Sequence, residues 1–170
     1  MKRTAPVLIA LNLLFWIMLV VHVIKAALIM ISYVGNMISP PGAEDMEKDL
    51  SALFGYSAGH YSLVVLLMIA LNLLKAWISW LAVKTVRVFK PETPFAPSIT
   101  RRVAKLSRLI FATAFLALGA SVYTKWLSQY VTFGVEWNSS PMILLAGVVY
   151  TFGYFFRKAS AISKPSSFQQ

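Results

Sequence analysis

Apolar positions in this chain fall into four long blocks, and polar positions gather between them. The blocks run over about 7–31, 61–83, 106–130 and 139–157. A membrane-crossing helix needs about 20 mainly apolar residues, within a range of about 17–25. The first block continues apolar to about Val34, which predicts tilt or extension beyond the lipid. The fourth is short and recruits neighbours at both ends. Lys2 and Arg3 resemble the start of a signal peptide. The run behind them is too long for one, and no small-residue cleavage site follows it, so it reads as a retained span. The connecting segments are patterned too. In the first loop, 35–60, Pro40-Pro41-Gly42 marks a turn. After it, Met46, Leu50, Leu53 and Phe54 recur at helical spacing, predicting a short amphipathic helix resting on the membrane face. In the second loop, 84–105, Pro91, Pro94 and Pro97 keep the chain extended. Ser98 is a candidate N-cap. Ile99, Val103, Leu106 and Ile110 then make an apolar stripe with basic residues on the remaining faces. The expected fold is therefore all-α: one four-helix transmembrane domain over 1–170, with short interfacial amphipathic helices.

Composition narrows the class. Hydrophobic residues make up 58% of the 170 positions and charged ones 13%, against about 25% charged in soluble domains. Cysteine is absent, which excludes disulfides, thiol nucleophiles and cysteine-held metal or iron–sulfur sites. The net charge of +10 does not point to nucleic acid, because the basic residues flank apolar blocks instead of forming one soluble patch.

Charge placement predicts an orientation. With an inside N-terminus, Lys2, Arg3, Lys84, Arg87, Lys90, Arg101, Arg102, Lys105, Arg108, Arg157, Lys158 and Lys164 lie inside. Lys48 alone lies outside, with Glu44, Asp45, Glu47, Asp49 and Glu136, and Glu92 is the one acid inside. That bias predicts both termini in the cytoplasm, in a bacterial cytoplasmic membrane. Arg87, Lys90, Arg101, Arg102, Lys105 and Arg108 then form an inner basic face suited to anionic lipid or a docking partner. Trp80 and Tyr154 fall near the inner boundary, and Tyr61, Tyr123, Trp126, Tyr130 and Trp137 near the outer one, as interfacial belts do.

Polar residues inside the spans are the candidates for function. The hexamer IALNLL occurs at Ile9–Leu14 and again at Ile69–Leu74, on spans of opposite direction, so it is not a repeat unit. Its asparagines matter more. Asn12, Asn72 and Lys75 form one predicted cluster, with the Lys75 ammonium bonded to Asn12 at a similar height. It reads either as a structural clamp or as a site for an anion. His22, Lys25, His60 and Lys125 make an outer-half polar group, in which snorkelling is the plainer reading for Lys25 and Lys125. His60 is expected about 8–10 Å above His22 along the bundle, counting 1.5 Å per residue, which argues against a shared haem. Small residues predict packing: Thr113, Ala117 and Ser121 on the third span against Gly147 and Thr151 on the fourth.

No HExxH, GxSxG, glycine-rich phosphate loop or paired intramembrane carboxylate is present, so no enzyme, metal site or cofactor is expected. From the second span to the fourth, LLKAWISWLAVKTVRVFKPETPFAPSITRRVAKLSRLIF resembles a family of bacterial four-span membrane proteins known only as a domain of unknown function. Pro94-Phe95 and Lys105-Leu106-Ser107 match its motifs; its usual acidic C-terminal tail is absent here. The resemblance implies a small membrane accessory with no catalytic residue. The expected function is non-enzymatic binding, as a regulatory or accessory subunit of a membrane complex or of a cytoplasmic partner, or within a homo-oligomer. The alternatives are a small anion transporter or channel-like protein using Lys75 and Lys25 and, remotely, a haem- or quinone-binding carrier.

Overall fold

The computed structural model describes residues 4–38, 48–88 and 97–135, together with Trp137, Gly147, Thr151 and Gly153. Four helices follow in order: α1 (Thr4–Ile38), α2 (Lys48–Tyr56), α3 (Ala58–Val88) and α4 (Pro97–Leu127). Three of them are long and apolar enough to cross a membrane, over Leu8–Ile38, Ala58–Val88 and Ile99–Leu127. The protein is all-helical among the described residues and consistent with an integral membrane protein. The predicted fourth span, 139–157, lies mostly outside the described residues, as do Met46, Lys90 and Tyr154.

Lipid offers no hydrogen bonds, so a spanning segment must satisfy its own backbone, and a helix does so. Hydroxyls follow the same rule. Ser62, Ser79, Thr85, Thr113 and Thr124 each donate to the carbonyl four residues back, at 2.7–3.0 Å. The helices outrun the apolar blocks at both ends. At 1.5 Å per residue, the 35 residues of α1 reach about 52 Å, against a hydrocarbon core of about 30 Å. Lys84 and Arg87 thus continue α3 as helix, in what the sequence suggested was loop. The basic stripe from Ile99 is likewise continuous with α4. That helix opens on Pro97, whose fixed φ and missing N–H suit a first helical turn, so Ser98 lies inside it. Ser57 caps α3: its Oγ accepts from the His60 N–H at 3.5 Å, and its carbonyl from the Tyr61 N–H at 3.0 Å.

α3 is the middle element, contacting α1, α2 and α4. Cross-contacts show its direction to be opposite to both long neighbours. His22 meets Asn72, and Tyr33 meets Ser62. On the other side His60 meets Tyr123, and the Arg102 guanidinium reaches the Lys84 carbonyl. Between Leu8 and Ile38, the protected positions of α1 are Leu8, Asn12, Phe15, Leu19, His22, Ala26, Ile29, Tyr33 and Asn36, and every other position is exposed. Their spacing alternates four and three. That is a heptad seam, the pattern of helices packed in a left-handed coil. α4 carries the same spacing at Ile99, Val103, Leu106, Ile110, Thr113, Ala117, Ala120, Thr124 and Leu127.

The main core sits toward one end of the helices. It joins Leu50 and Leu53 of α2, Tyr61, Val64, Val65 and Leu71 of α3, and Ala117, Ala120 and Leu127 of α4, with Trp137. This corrects the expected role of α2. Leu53 has no exposed surface, so the apolar face of α2 is buried in protein instead of resting on lipid. Tyr61 and Trp137 are buried by the same packing and are not belt residues. The Tyr61 hydroxyl accepts from Asn36 Nδ2 at 3.0 Å. The Trp137 Nε1–H donates to Thr124 Oγ1 at 2.8 Å.

Candidate intramembrane basic site

Hydrocarbon-facing helices have few reasons to carry a charge, so the site begins at the polar residues of the α1–α3 seam. Asn72 is held from within its own helix. Its Nδ2 donates to the Met68 carbonyl at 2.9 Å, which orients the amide and presents Oδ1 to α1. There, His22 Nδ1 stands 3.3 Å from Asn72 Oδ1. Since Oδ1 can only accept, His22 carries its proton on Nδ1 in this contact, and Nε2 is left for another partner. Lys25 lies one turn from His22 on α1, and Lys75 one turn from Asn72 on α3. Because the helices run oppositely, the two lysines fall on either side of the His22–Asn72 level, about 9 Å apart in height. Both are cations within one turn of the His22–Asn72 level. Lys75 is partly buried and Lys25 exposed.

These four groups lie within one turn of the same level of the α1–α3 pair, and no acid lies at that depth. Positions 4–38, 58–88, 97–127 and 139–157 contain no aspartate or glutamate. Two ammonium groups, an imidazole and an amide in that setting favour a carboxylate, a phosphate or another anion supplied from outside these spans.

The register overturns two sequence expectations. Stepping from the His22–Asn72 pair, Lys75 stands level with Leu19, about 10 Å from the level of Asn12. The expected Lys75–Asn12 bond is therefore absent, and buried Asn12 Oδ1 has no hydrogen-bond partner. The expectation placed both residues by counting from the edges of apolar blocks. α1 extends well past such edges, so the count misplaced its register. The outer-half group also divides. His60 stands twelve positions from Asn72, about 18 Å along α3, well beyond the expected rise above His22. His60 joins the aromatic end, with Nδ1 2.6 Å from the Tyr123 hydroxyl and its ring beside Tyr56 and Trp126. Lys125 is exposed in the last turn of α4. Among the described residues no three histidine or acidic groups are placed to hold a metal ion.

The predicted small-residue contact is partly redirected. Thr113 and Ala117 are fully buried, on the α4 seam. Gly147 and Thr151 are exposed, with the Thr151 hydroxyl donating back to the Gly147 carbonyl at 2.9 Å. Gly153 makes the contact instead: a Cβ there would stand 3.7 Å from Ser107 Cβ and 3.8 Å from Val103 Cγ1. At 100° per residue, Gly153 lies about 200° round a helix from Thr151, so the two cannot face α4 together. The Ser107 hydroxyl is buried there without a hydrogen-bond partner.

At the opposite end from α2, Arg87, Arg101, Arg102, Lys105 and Arg108 gather on α3 and α4. Sequence reasoning passed over Trp16 there and paired neither Trp80 with Lys84 nor Arg87 with any ring. Lys84 Nζ lies 3.6 Å from the Trp80 ring centroid, and the Arg87 guanidinium 5.7 Å from that of Trp16. It also missed the Tyr33–Ser62 and Asn36–Tyr61 bonds, although Asn12, His22, Tyr33 and Asn36 share one heptad stripe that was available as a signal. Compared with protein-family models, curated proteins and solved structures, the chain matches none.

Proposed function

We propose that this is a non-enzymatic integral membrane protein that acts by binding, as an accessory subunit of a larger membrane complex. The observation that carries the reading is the His22–Lys25–Asn72–Lys75 cluster in spans that contain no acid. A second copy of the chain brings no intramembrane carboxylate either, so self-association does not neutralise Lys75. An acidic side chain in a partner's span does. The resemblance to four-span membrane accessories agrees with this role. In the same reading the chain crosses the bacterial cytoplasmic membrane four times. Both termini and the basic end face the cytoplasm, as the charge bias favours.

The test is purification in mild detergent followed by charge exchange. The wild-type protein is expected to carry a stoichiometric membrane partner. Lys75→Leu is expected to lose it while keeping its helicity and thermal transition, and Lys75→Arg to retain it. Lys75→Glu is expected to recover binding when the partner's intramembrane acid is changed to lysine. Full retention of the partner by Lys75→Leu overturns the reading. Anion flux in liposomes that Lys75→Leu abolishes, in a protein that purifies alone, replaces it with the transport reading.

A further inference from the structure

On another face of the α1–α3 pair, Leu19 and Val23 of α1 and Ala76, Trp77 and Trp80 of α3 line a groove of about 290 Å³. Trp77 lies two residues from Lys75, about 200° round α3, so this groove and the basic cluster occupy different faces. Its walls are almost wholly apolar, and it opens outward from the helix pair. Its basic end is different. Lys84 stands one turn beyond Trp80 and folds its ammonium back over that ring. Arg87 stands further along α3, and its guanidinium lies over Trp16, one turn before Leu19 on α1. One cation is thus seated on an indole of each helix, at the same end of one apolar groove. No carboxylate occurs in α1 or α3 to neutralise them.

We infer that this groove is a site for an anionic phospholipid, with an acyl chain lying against Trp77 and Trp80 and the phosphodiester held between Lys84 and Arg87. The chemistry of the two parts matches that ligand. An acyl chain gains contact along Leu19, Val23 and Ala76. The guanidinium offers a planar fork to phosphate oxygens and the ammonium a compact charge beside it. Lysines and arginines on lipid-facing helix ends commonly extend to the interface. Here Lys84 folds back over Trp80, a wall of the groove, and Arg87 over Trp16 beyond its end, which brings both cations to one end of the groove. Basic residues near a membrane surface attract anionic lipid in general, but a diffuse basic face gives no reason for one pair to dominate. The groove supplies that reason. The site stands or falls apart from the proposed accessory role, since it shares no residue with Lys25 or Lys75.

Native mass spectrometry of the detergent-purified protein tests it, with phosphatidylglycerol and phosphatidylcholine of identical chains as probes. Wild type is expected to retain one phosphatidylglycerol in preference to phosphatidylcholine. The Lys84→Gln, Arg87→Gln double variant is expected to lose that preference by about tenfold or more. The Arg101→Gln, Arg108→Gln double variant, with the same charge change at the same end, is expected to keep it. Val23→Trp, at an exposed position, fills the groove and is expected to lower retention of both lipids without shifting the thermal transition. Equal loss in the two double variants overturns the site in favour of diffuse attraction. An unaltered preference in Lys84→Gln, Arg87→Gln overturns it outright. So does a dimer lost in Val23→Trp with lipid retention unchanged, which assigns the groove to a second copy.

Discussion

Asn72 shows what one polar residue does in a span. Its Nδ2 is used inside α3, and its Oδ1 reaches the neighbouring helix at His22. Such interhelical bonds in membranes are worth about 0.6 kcal/mol on average, because the unfolded chain in lipid also finds partners. Asn72→Leu and His22→Phe are each expected to destabilise by about 1 kcal/mol or less in SDS-induced unfolding, with a double-mutant coupling near 0.6 kcal/mol. A coupling indistinguishable from zero removes the bond as a contributor. Thr124 is a stronger case, because both it and Trp137 are buried. Thr124→Val leaves the Trp137 N–H without its acceptor, at an expected cost of about 1–3 kcal/mol, while Thr124→Ser keeps the hydroxyl and most of the stability. Asn72 and Lys75 were legible from sequence, since polar groups in an apolar run stand out. The partner of Asn72 was not. Partner choice depends on register, and a helix that continues past the lipid hides its register from any count of apolar letters.

At the scale of the element, the seam on α1 carries the association. Ala26 is its most buried position, where a methyl group lets the two backbones approach, as small residues do between membrane helices. Ala26→Phe is expected to force α1 off α3 and to cost about 1–3 kcal/mol in the same unfolding assay. Ile24→Phe, two residues away and exposed, is expected to change nothing measurable. Equal effects from both would mean that α1 packs through another face. The apolar blocks predicted α1, α3 and α4 because length alone identifies a span. Their faces were harder to read. In water the exposed side of a helix is polar and the contrast shows which side is buried; in lipid both sides are apolar and the contrast fades. What remained readable was the polar minority: Asn12, His22, Tyr33 and Asn36 mark the stripe that meets α3. For α2 the spacing of Leu50, Leu53 and Phe54 gave the helix, but not what covers it. Leu53→Ala opens a cavity in the main core and is expected to cost about 2–5 kcal/mol, against little effect for a residue lying on lipid.

Across the whole molecule the two ends differ in kind. At one end Tyr56, His60, Tyr123, Trp126 and Tyr130 pack ring beside ring, and the other gathers Arg87, Arg101, Arg102, Lys105 and Arg108. The antiparallel order of α1, α3 and α4 places Val88 and Pro97 together at the basic end, and Ile38, Ala58 and Leu127 at the aromatic end. Whichever side the basic end faces, these ends are therefore fixed relative to each other, and one measurement orients all three helices. Lysine and arginine are retained on the cytoplasmic side during insertion, so the basic end is expected to lie there. The absence of cysteine makes the measurement direct, because any introduced thiol is the only one in the chain. Ser128, exposed just past α4, and Arg101, exposed near its start, mark opposite ends. In intact cells, a membrane-impermeant maleimide is expected to label Ser128→Cys and to spare Arg101→Cys until the membrane is opened. The reverse labelling would invert the orientation while leaving the α1–α3–α4 packing untouched. It would also move the Lys84–Arg87 pair to the outer leaflet, where a headgroup held there would have to come from a different lipid pool. Labelling of both in intact cells would mean that the chain inserts in two directions, and that sixteen basic residues set no single topology.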